Sequence, residues 1–392
     1  MGELFEVKPV DRAFYAERIK DFLPDRLIDV HCHVWTNPGG GQGGEQRGGR
    51  GCRRARELSG GPGGHHSAGP AREQGSGPGQ GQMEKPTPGP YDRVQSWPQR
   101  VASQNPIEDL IETYRLMFPD KQVTALIFGT AANATDLNAS NAYVQQASRK
   151  SGFPALMVTP PDMDAETFEE RAVAGGFLGA KAYLTLAPKH LEADEICIFD
   201  FLPHHLLEVL NRRGWVVMLH IPRSSRLRDP VNLEQMLEIE QRYPNAKVII
   251  AHVGRAYCIE DVGDAFEVLA QTEKLVFDIS ANSNRQVFEQ LIRAVGPKRI
   301  LFGSDLPILR MRTRRICECG RYVNLVPRGL YGDISRDPHM RELEGGEAEA
   351  LTFFLYEEID AFRRAAVETG LLPSDIEDVF YGNAARLLGL AR

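Results

Sequence analysis

Residues 27–35 read LIDVHCHVW, a strand-length apolar run that nevertheless carries Asp29 and two histidines, His31 and His33. Side chains two apart along a strand point to the same face, so a strand here turns both imidazoles one way. Seven further runs have the same character: VTALIFGT (123–130), ALMVTP (155–160), GAKAYLT (179–185), WVVMLHIP (215–222), KVIIAHVG (247–254), LVFDIS (275–280) and RILFGSDLP (299–307). They are continuous and rich in β-branched residues, not alternating, which is how parallel strands covered on both faces read.

The segments between them have helical spacing. NPIEDLIETYRLMF (105–118) offers Asn105 as an N-cap, with Pro106 at the first helical position and Glu108 two further on. FLPHHLLEVLNRRG (201–214) ends on Gly214, a C-cap residue. VNLEQMLEIEQRYP (231–244), IEDVGDAFEVLAQ (259–271) and SNRQVFEQLIRAVGP (283–297) repeat apolar residues at helical intervals. Eight strands with helices between them predict an α/β chain of the (β/α)8, or TIM-barrel, class. A doubly wound open sheet is the alternative, but the first strand runs into HVWTNPGG (33–40), not into a Gly-rich phosphate loop that opens a helix.

In a barrel, chemistry gathers at the C-terminal ends of the strands. His31 and His33 end the first strand, Lys181 lies in the fourth, His220 ends the fifth, His252 the sixth and Asp305 the eighth. Imidazoles with a carboxylate suit a divalent ion: Zn²⁺ first, with Mn²⁺ or Fe²⁺ as alternatives. Such an ion brings the pKa of a coordinated water close to neutrality, and a neighbouring carboxylate relays its proton. Asp29, just before the pair, is expected to hold a ligand imidazole in its tautomer. His190, His204, His205 and His339 read as ordinary surface or core residues.

Composition sets the bounds. The chain has 392 residues, 42% hydrophobic and 25% charged, with net charge −7, so nothing in its balance calls for nucleic acid. The first residues are charged throughout and no apolar run is of membrane-spanning length, which makes a cytoplasmic protein the expectation. Six cysteines are too sparse for a disulfide scaffold and read as reduced thiols; Cys317-Glu318-Cys319 reads as a solvated loop. One segment stands apart. Residues 37–90 hold about half of the 37 glycines and almost no large apolar residues, too little to offset ordering entropy. They divide the chain into an N-terminal segment with the first strand (1–36), a disordered Gly/Arg/Pro-rich insert (37–90) and the rest of the barrel (91–392). The insert reads as a tolerated loop, as out-of-frame GC-rich sequence, or as an RGG-like RNA-binding stretch without the aromatic residues that stacking needs. His65 and His66 fall within it as bystanders.

DVHCH (29–33), MLHIP (218–222), IIAHVG (249–254), LFGSDLP (301–307) and the closing VFYGNAARLLGL (379–390) together resemble the amidohydrolase superfamily. The likeness is to the amidohydrolase-related branch that includes aminocarboxymuconate-semialdehyde decarboxylase, and it covers nearly all of the chain but the insert. The resemblance implies one divalent metal held by His31, His33, His220 and Asp305, with His252 beside the water and Asp305 also relaying a proton. It implies a homodimer as well. In two-metal members a carbamylated lysine of the fourth strand bridges the ions. Lys181 occupies that strand; were it carbamylated, His252 would become a ligand, although GAKAYLT fits the one-metal type.

Arg223 follows the fifth strand and Arg255 the sixth, each placed to grip an anionic substrate group. Trp35 and Trp97 are candidate pocket walls, and Asn282 and Asn284 candidate polar contacts. The small-molecule substrate is thus polar or anionic. The leading expectation is a metal-dependent hydrolase acting on a C–N or C–O bond. A metal-dependent non-oxidative decarboxylase is the alternative, ahead of a metal-retaining binding protein or an RNA-associated protein acting through the insert.

Overall fold

Residues 4–36, 98–131 and 136–390 are described by the computed structural model; the insert, with His65, His66 and Trp97, lies outside them. Eight parallel strands follow in chain order: β1 (Arg26–His33), β2 (Gln122–Phe128), β3 (Met157–Val158), β4 (Gly179–Ala182), β5 (Val216–Leu219), β6 (Lys247–Ile250), β7 (Val276–Asp278) and β8 (Ile300–Leu301). β1 pairs with β2, and β3 through β8 pair in sequence order. Two sets of backbone bonds join these sheets. Ile127 N–H donates to Pro154 O and Leu156 N–H to Ile127 O between β2 and β3. Val30 N–H donates to Phe302 O, and His33 N–H to Leu306 O, between β1 and the β8 segment. The hydrogen bonding therefore runs round a closed circuit, as the eight apolar runs predict.

The core has two parts, one on each face of that circuit. Ile28, Val30, Leu126, Leu156, Val216, Met218, Ile249, Val276 and Leu301 form one buried cluster, joined by Ala384, Ala385 and Leu388 of the C-terminal helix Asn383–Leu388. That helix thus packs on the inner set of strand side chains, at the end away from the histidines. The larger cluster lies between strands and surrounding helices and includes Leu27, Cys32, Leu110, Ile127, Leu219 and Phe288.

Local chemistry starts and stops the helices. Asp136, Asp164, Asp229 and Asn284 cap helices through side-chain oxygens, and Gly152, Gly176, Gly214 and Gly370 end helices in the left-handed conformation. One capping expectation is corrected. The helix Ile107–Met117 is capped by Pro106, because Asn105 is buried and donates its amide to His33 O at 2.7 Å. Asn284, expected as a polar contact to substrate, caps the helix Arg285–Val295, and Asn282 donates to Ala256 O, after β6, at 2.7 Å.

Three strands beyond the circuit were not anticipated. β9 (Arg314–Glu318) and β10 (Arg321–Pro327) form a hairpin, and β11 (Met340–Leu343) joins β10 in parallel. Cys317 and Cys258 form a disulfide, with Cα atoms 5.8 Å apart. This corrects the reading of every cysteine as a reduced thiol and of Cys317 as loop: β9 brings Cys317 against the segment after β6, within the span a disulfide bridges. Cys32, Cys197 and Cys319 are free. No helix among the described residues is long and apolar enough to cross a membrane.

Candidate metal centre

β1 supplies the first two imidazoles through an irregularity. Its register against β2 shifts between Asp29 and Cys32. Ile28 and Val30 belong to the inner cluster, while Cys32 and Val34 belong to the outer one. The shift places Val30 and His31 on the same side in succession and so turns His31 and His33 inward. Bulges commonly re-aim side chains beside functional sites. Phe128, at the end of β2, floors the site: its ring lies 5.3 Å from that of His31 and 4.8 Å from that of His33.

Asp305 and His252 approach from other strands, and both adopt left-handed backbone, with φ of 53° and 57°. Residues other than glycine adopt it uncommonly, and strained backbone of this kind clusters at functional sites. Donor atoms of His31, His252 and Asp305 all lie within 4.8 Å of one another. His31 Nε2 is 3.7 Å from Asp305 Oδ1, and His33 Nε2 is 3.0 Å from the same oxygen. The His220 ring stands 5.2 Å from that of His252. The structure thus brings all five metal and acid–base candidates together, and His252, expected to act on water, shares a compact donor group with His31 and Asp305.

Asp278 was missed from the sequence. Its Oδ2 accepts from His31 Nδ1 at 2.9 Å; its Oδ1 accepts the backbone N–H groups of His252 and Ser280, at 2.9 and 3.0 Å, and the Ser280 hydroxyl. A carboxylate only accepts, so the His31 proton sits on Nδ1 and Nε2 offers its lone pair. His252 Nδ1 faces Ser280 O at 3.2 Å and Ser280 Oγ at 2.8 Å, which leaves its Nε2 unprotonated by the same logic. The expected role of Asp29 is corrected. It takes the His31 backbone N–H at 3.1 Å, the Ser304 N–H at 2.9 Å and the Tyr114 hydroxyl at 2.8 Å, and holds the two strand ends rather than an imidazole ring. The sequence signal for Asp278 was a polar residue ending an apolar strand in LVFDIS, like those that marked the histidines.

Electrostatics put these groups in their metal-binding forms. Burial pushes His31 down to about 3, and lowers His220 and His252 as well; all three are neutral near pH 7. Burial opposes ionisation of Asp305, but the His33 hydrogen bond and the surrounding imidazoles hold its carboxyl well below the usual range. Burial opposes ionisation of Asp278 too, but His31, His252 and the Ser280 hydroxyl together hold it at about 2. Lys181 is 1% exposed; burial lowers it to about 8, and its ammonium lies 5.0 Å from the Phe128 ring and 5.2 Å from that of Tyr183. The Tyr183 hydroxyl reaches His33 Nδ1 at 3.0 Å.

The three expected substrate contacts are set differently. Arg255 Nη1 donates to the carbonyls of Ile221, Pro222 and Arg223, at 3.2, 2.7 and 3.1 Å. Arg223 Nε is 3.3 Å from Asp229 Oδ1. Trp35 is half-buried, and its indole donates to Ser103 O at 3.2 Å.

A model of the amidohydrolase family, in its amidohydrolase-2 division, matches residues 28–390. The chain belongs to this family. Solved structures similar to this amidohydrolase include a dihydroxybenzoic acid decarboxylase from Polaromonas with bound manganese and the inhibitor 2-nitroresorcinol: 17% identity, TM-score 0.47, covering 76% of this chain and 90% of that one. An amidohydrolase 2 from Bifidobacterium longum subsp. infantis has 14% identity and TM-score 0.47, covering 94% and 100%. A probable 2-pyrone-4,6-dicarboxylic acid hydrolase from Acinetobacter baumannii, with citric acid bound, has 14% identity and TM-score 0.47, covering 73% and 90%. No curated protein matches the sequence.

The residues fit a divalent ion. Two donors sharing an ion at ordinary bond lengths sit roughly 3–3.5 Å apart, close to the spacings of Asp305 from His33 and His31. His220 Nδ1 is buried without a partner among the described residues, and three neutral imidazoles meet an ionised carboxylate.

Proposed function

We propose that this amidohydrolase is a metal-dependent hydrolase that cleaves a C–N or C–O bond, amide or lactone-like, in a small polar or anionic substrate. His31, His33, His220 and Asp305 hold one divalent ion, zinc first, with manganese or iron as alternatives. The observation that carries this reading is the meeting of His31, His252 and Asp305 donor atoms within 4.8 Å, with both imidazoles fixed by hydrogen bonds at Nδ1. A bound ion supplies a Lewis acid and makes water acidic enough to lose a proton near neutral pH. Asp305, kept ionised by His33, accepts that proton at its carboxylate and returns it to the leaving group. His252, aligned by Ser280, offers its unprotonated Nε2 as a second base within reach of the water. Phe128 and Tyr183 wall the site against bulk water.

Non-oxidative decarboxylation is the second reading, and Lys181 favours it. Its buried ammonium has no hydrogen bond or ion pair among the described residues, so a substrate carboxylate would pair with it. The test offers the manganese- or zinc-loaded protein a panel of lactones, anilides and hydroxybenzoates and follows products by mass. Incorporation of ¹⁸O from labelled water identifies a hydrolase; CO₂ release without ¹⁸O uptake identifies a decarboxylase. Turnover independent of added metal would contradict both.

A further inference from the structure

β9 alternates its side chains between two environments. Arg314 is exposed and pairs with Glu357 at 3.3 Å. Arg315 and Cys317, two apart, share the opposite face. Cys317 is bonded to Cys258. Arg315 donates through Nη1 to Ala281 O at 2.5 Å and through Nε to Asn324 Oδ1 at 2.8 Å. Ala281 directly follows Ser280, the residue that aligns His252, so the guanidinium stands on the β7 rim one residue from the candidate centre. The charge of Asp305 reaches it.

The guanidinium is boxed by aromatic rings. Those of Tyr257, Tyr322 and Phe354 lie 4.8, 4.4 and 4.4 Å from its central carbon. Its neighbours on the rim have anions or carbonyls of their own: Arg226 meets Asp261 at 2.7 Å, Arg223 lies beside Asp229, and Arg255 holds three carbonyls. Arg315 has no carboxylate partner among the described residues, and only two of its five N–H groups meet a protein acceptor. A desolvated cation without a counter-anion is costly, and three of the Arg315 N–H groups are left without a protein acceptor among the described residues.

We infer that Arg315, carried by the β9–β10 hairpin and fixed by Asn324, Ala281 and the neighbouring disulfide, binds a carboxylate group of the substrate. Tyr257 and Tyr322 flank that carboxylate's planar framework. This rests on the proposed function for where the substrate sits, not for which bond is broken. It assigns the anion contact to a residue outside the eight-stranded circuit, in place of Arg223 and Arg255.

The manganese-loaded full chain is titrated calorimetrically with benzoate and with benzamide, its uncharged counterpart, and metal content is measured on every sample. Wild type should prefer benzoate, and Arg315→Gln should lose benzoate affinity by roughly 10- to 100-fold while keeping its benzamide affinity. No preference in wild type, or wild-type benzoate affinity in Arg315→Gln, would overturn the inference. A loss seen in Arg223→Gln and not in Arg315→Gln would overturn it too. If Arg315→Gln does not fold, Arg315→Lys stands in, since it keeps the charge without the planar fork; weakened benzoate binding supports the inference and unchanged binding overturns it. Protein without metal that still prefers benzoate through Arg315 would contradict the proposed function and leave this contact standing.

Discussion

Asp278 gathers four donors from β1, β6 and β7 onto one carboxylate, and it is the residue on which the site's geometry turns. Asp278→Asn replaces one acceptor oxygen with a donor. It should free the His31 ring to rotate or change tautomer and weaken metal retention by roughly 10- to 100-fold; competition with a chromogenic chelator measures this. The histidine pair was legible in the sequence because period-two spacing needs only local chain. Its outcome depended on a register shift that periodicity does not show, since strict alternation from Ile28 and Val30 would have sent His31 outward. Asp278 was not legible as a partner, because its bond to His31 spans 247 residues and exists only once the strands close on one another. The surroundings of Arg223 and Arg255 were hidden for a related reason. Position after a strand told that they stand at the rim, but not which carbonyls and carboxylates fold against them.

At the scale of elements, the eight apolar runs were readable because each is covered on both faces and so nearly pure in composition. β9 and β10 were not, because they lack that double cover: along RRICE three residues are exposed, two are half-buried and none is buried. The disulfide joins cysteines 59 residues apart and left no spacing signal. It ties the hairpin to the segment that carries Tyr257, next to the strained turn at His252. Cys317→Ser should lower global stability by roughly 2–4 kcal/mol, read from urea unfolding. Adding a thiol reductant to wild type should give a similar loss, and adding it to the variant should give none.

Across the whole molecule, the helix Phe354–Thr369 presents Glu358 to the interior, 0% exposed, with neither carboxylate oxygen hydrogen-bonded among the described residues. Burial raises its carboxyl well above the ordinary value of 4.5, Asp29, Asp278 and Asp305 add repulsion, and the Ala281 backbone pulls the other way without reaching hydrogen-bond geometry. Below pH 4.5 both folded and unfolded chains hold the proton and burial carries no ionisation penalty. Above it the unfolded chain releases the proton while the folded chain retains it, so this group's contribution to stability falls as pH rises toward its folded pKa. Glu358→Gln removes the term. The variant should gain stability over wild type progressively from about pH 4.5 upward and match it most closely in acid; thermal unfolding across pH measures the difference.

The central claim is that His31, His33, His220 and Asp305 form a site for one divalent ion. The direct measurement is metal content per chain, by plasma mass spectrometry, on protein purified without chelator and again after reconstitution with zinc, manganese or iron. Wild type should carry close to one equivalent, and His220→Ala and Asp305→Asn should lose it while remaining folded. Close to two equivalents would bring Lys181 and His252 into the ligand set and contradict the single-ion account; no metal after reconstitution would contradict the site altogether.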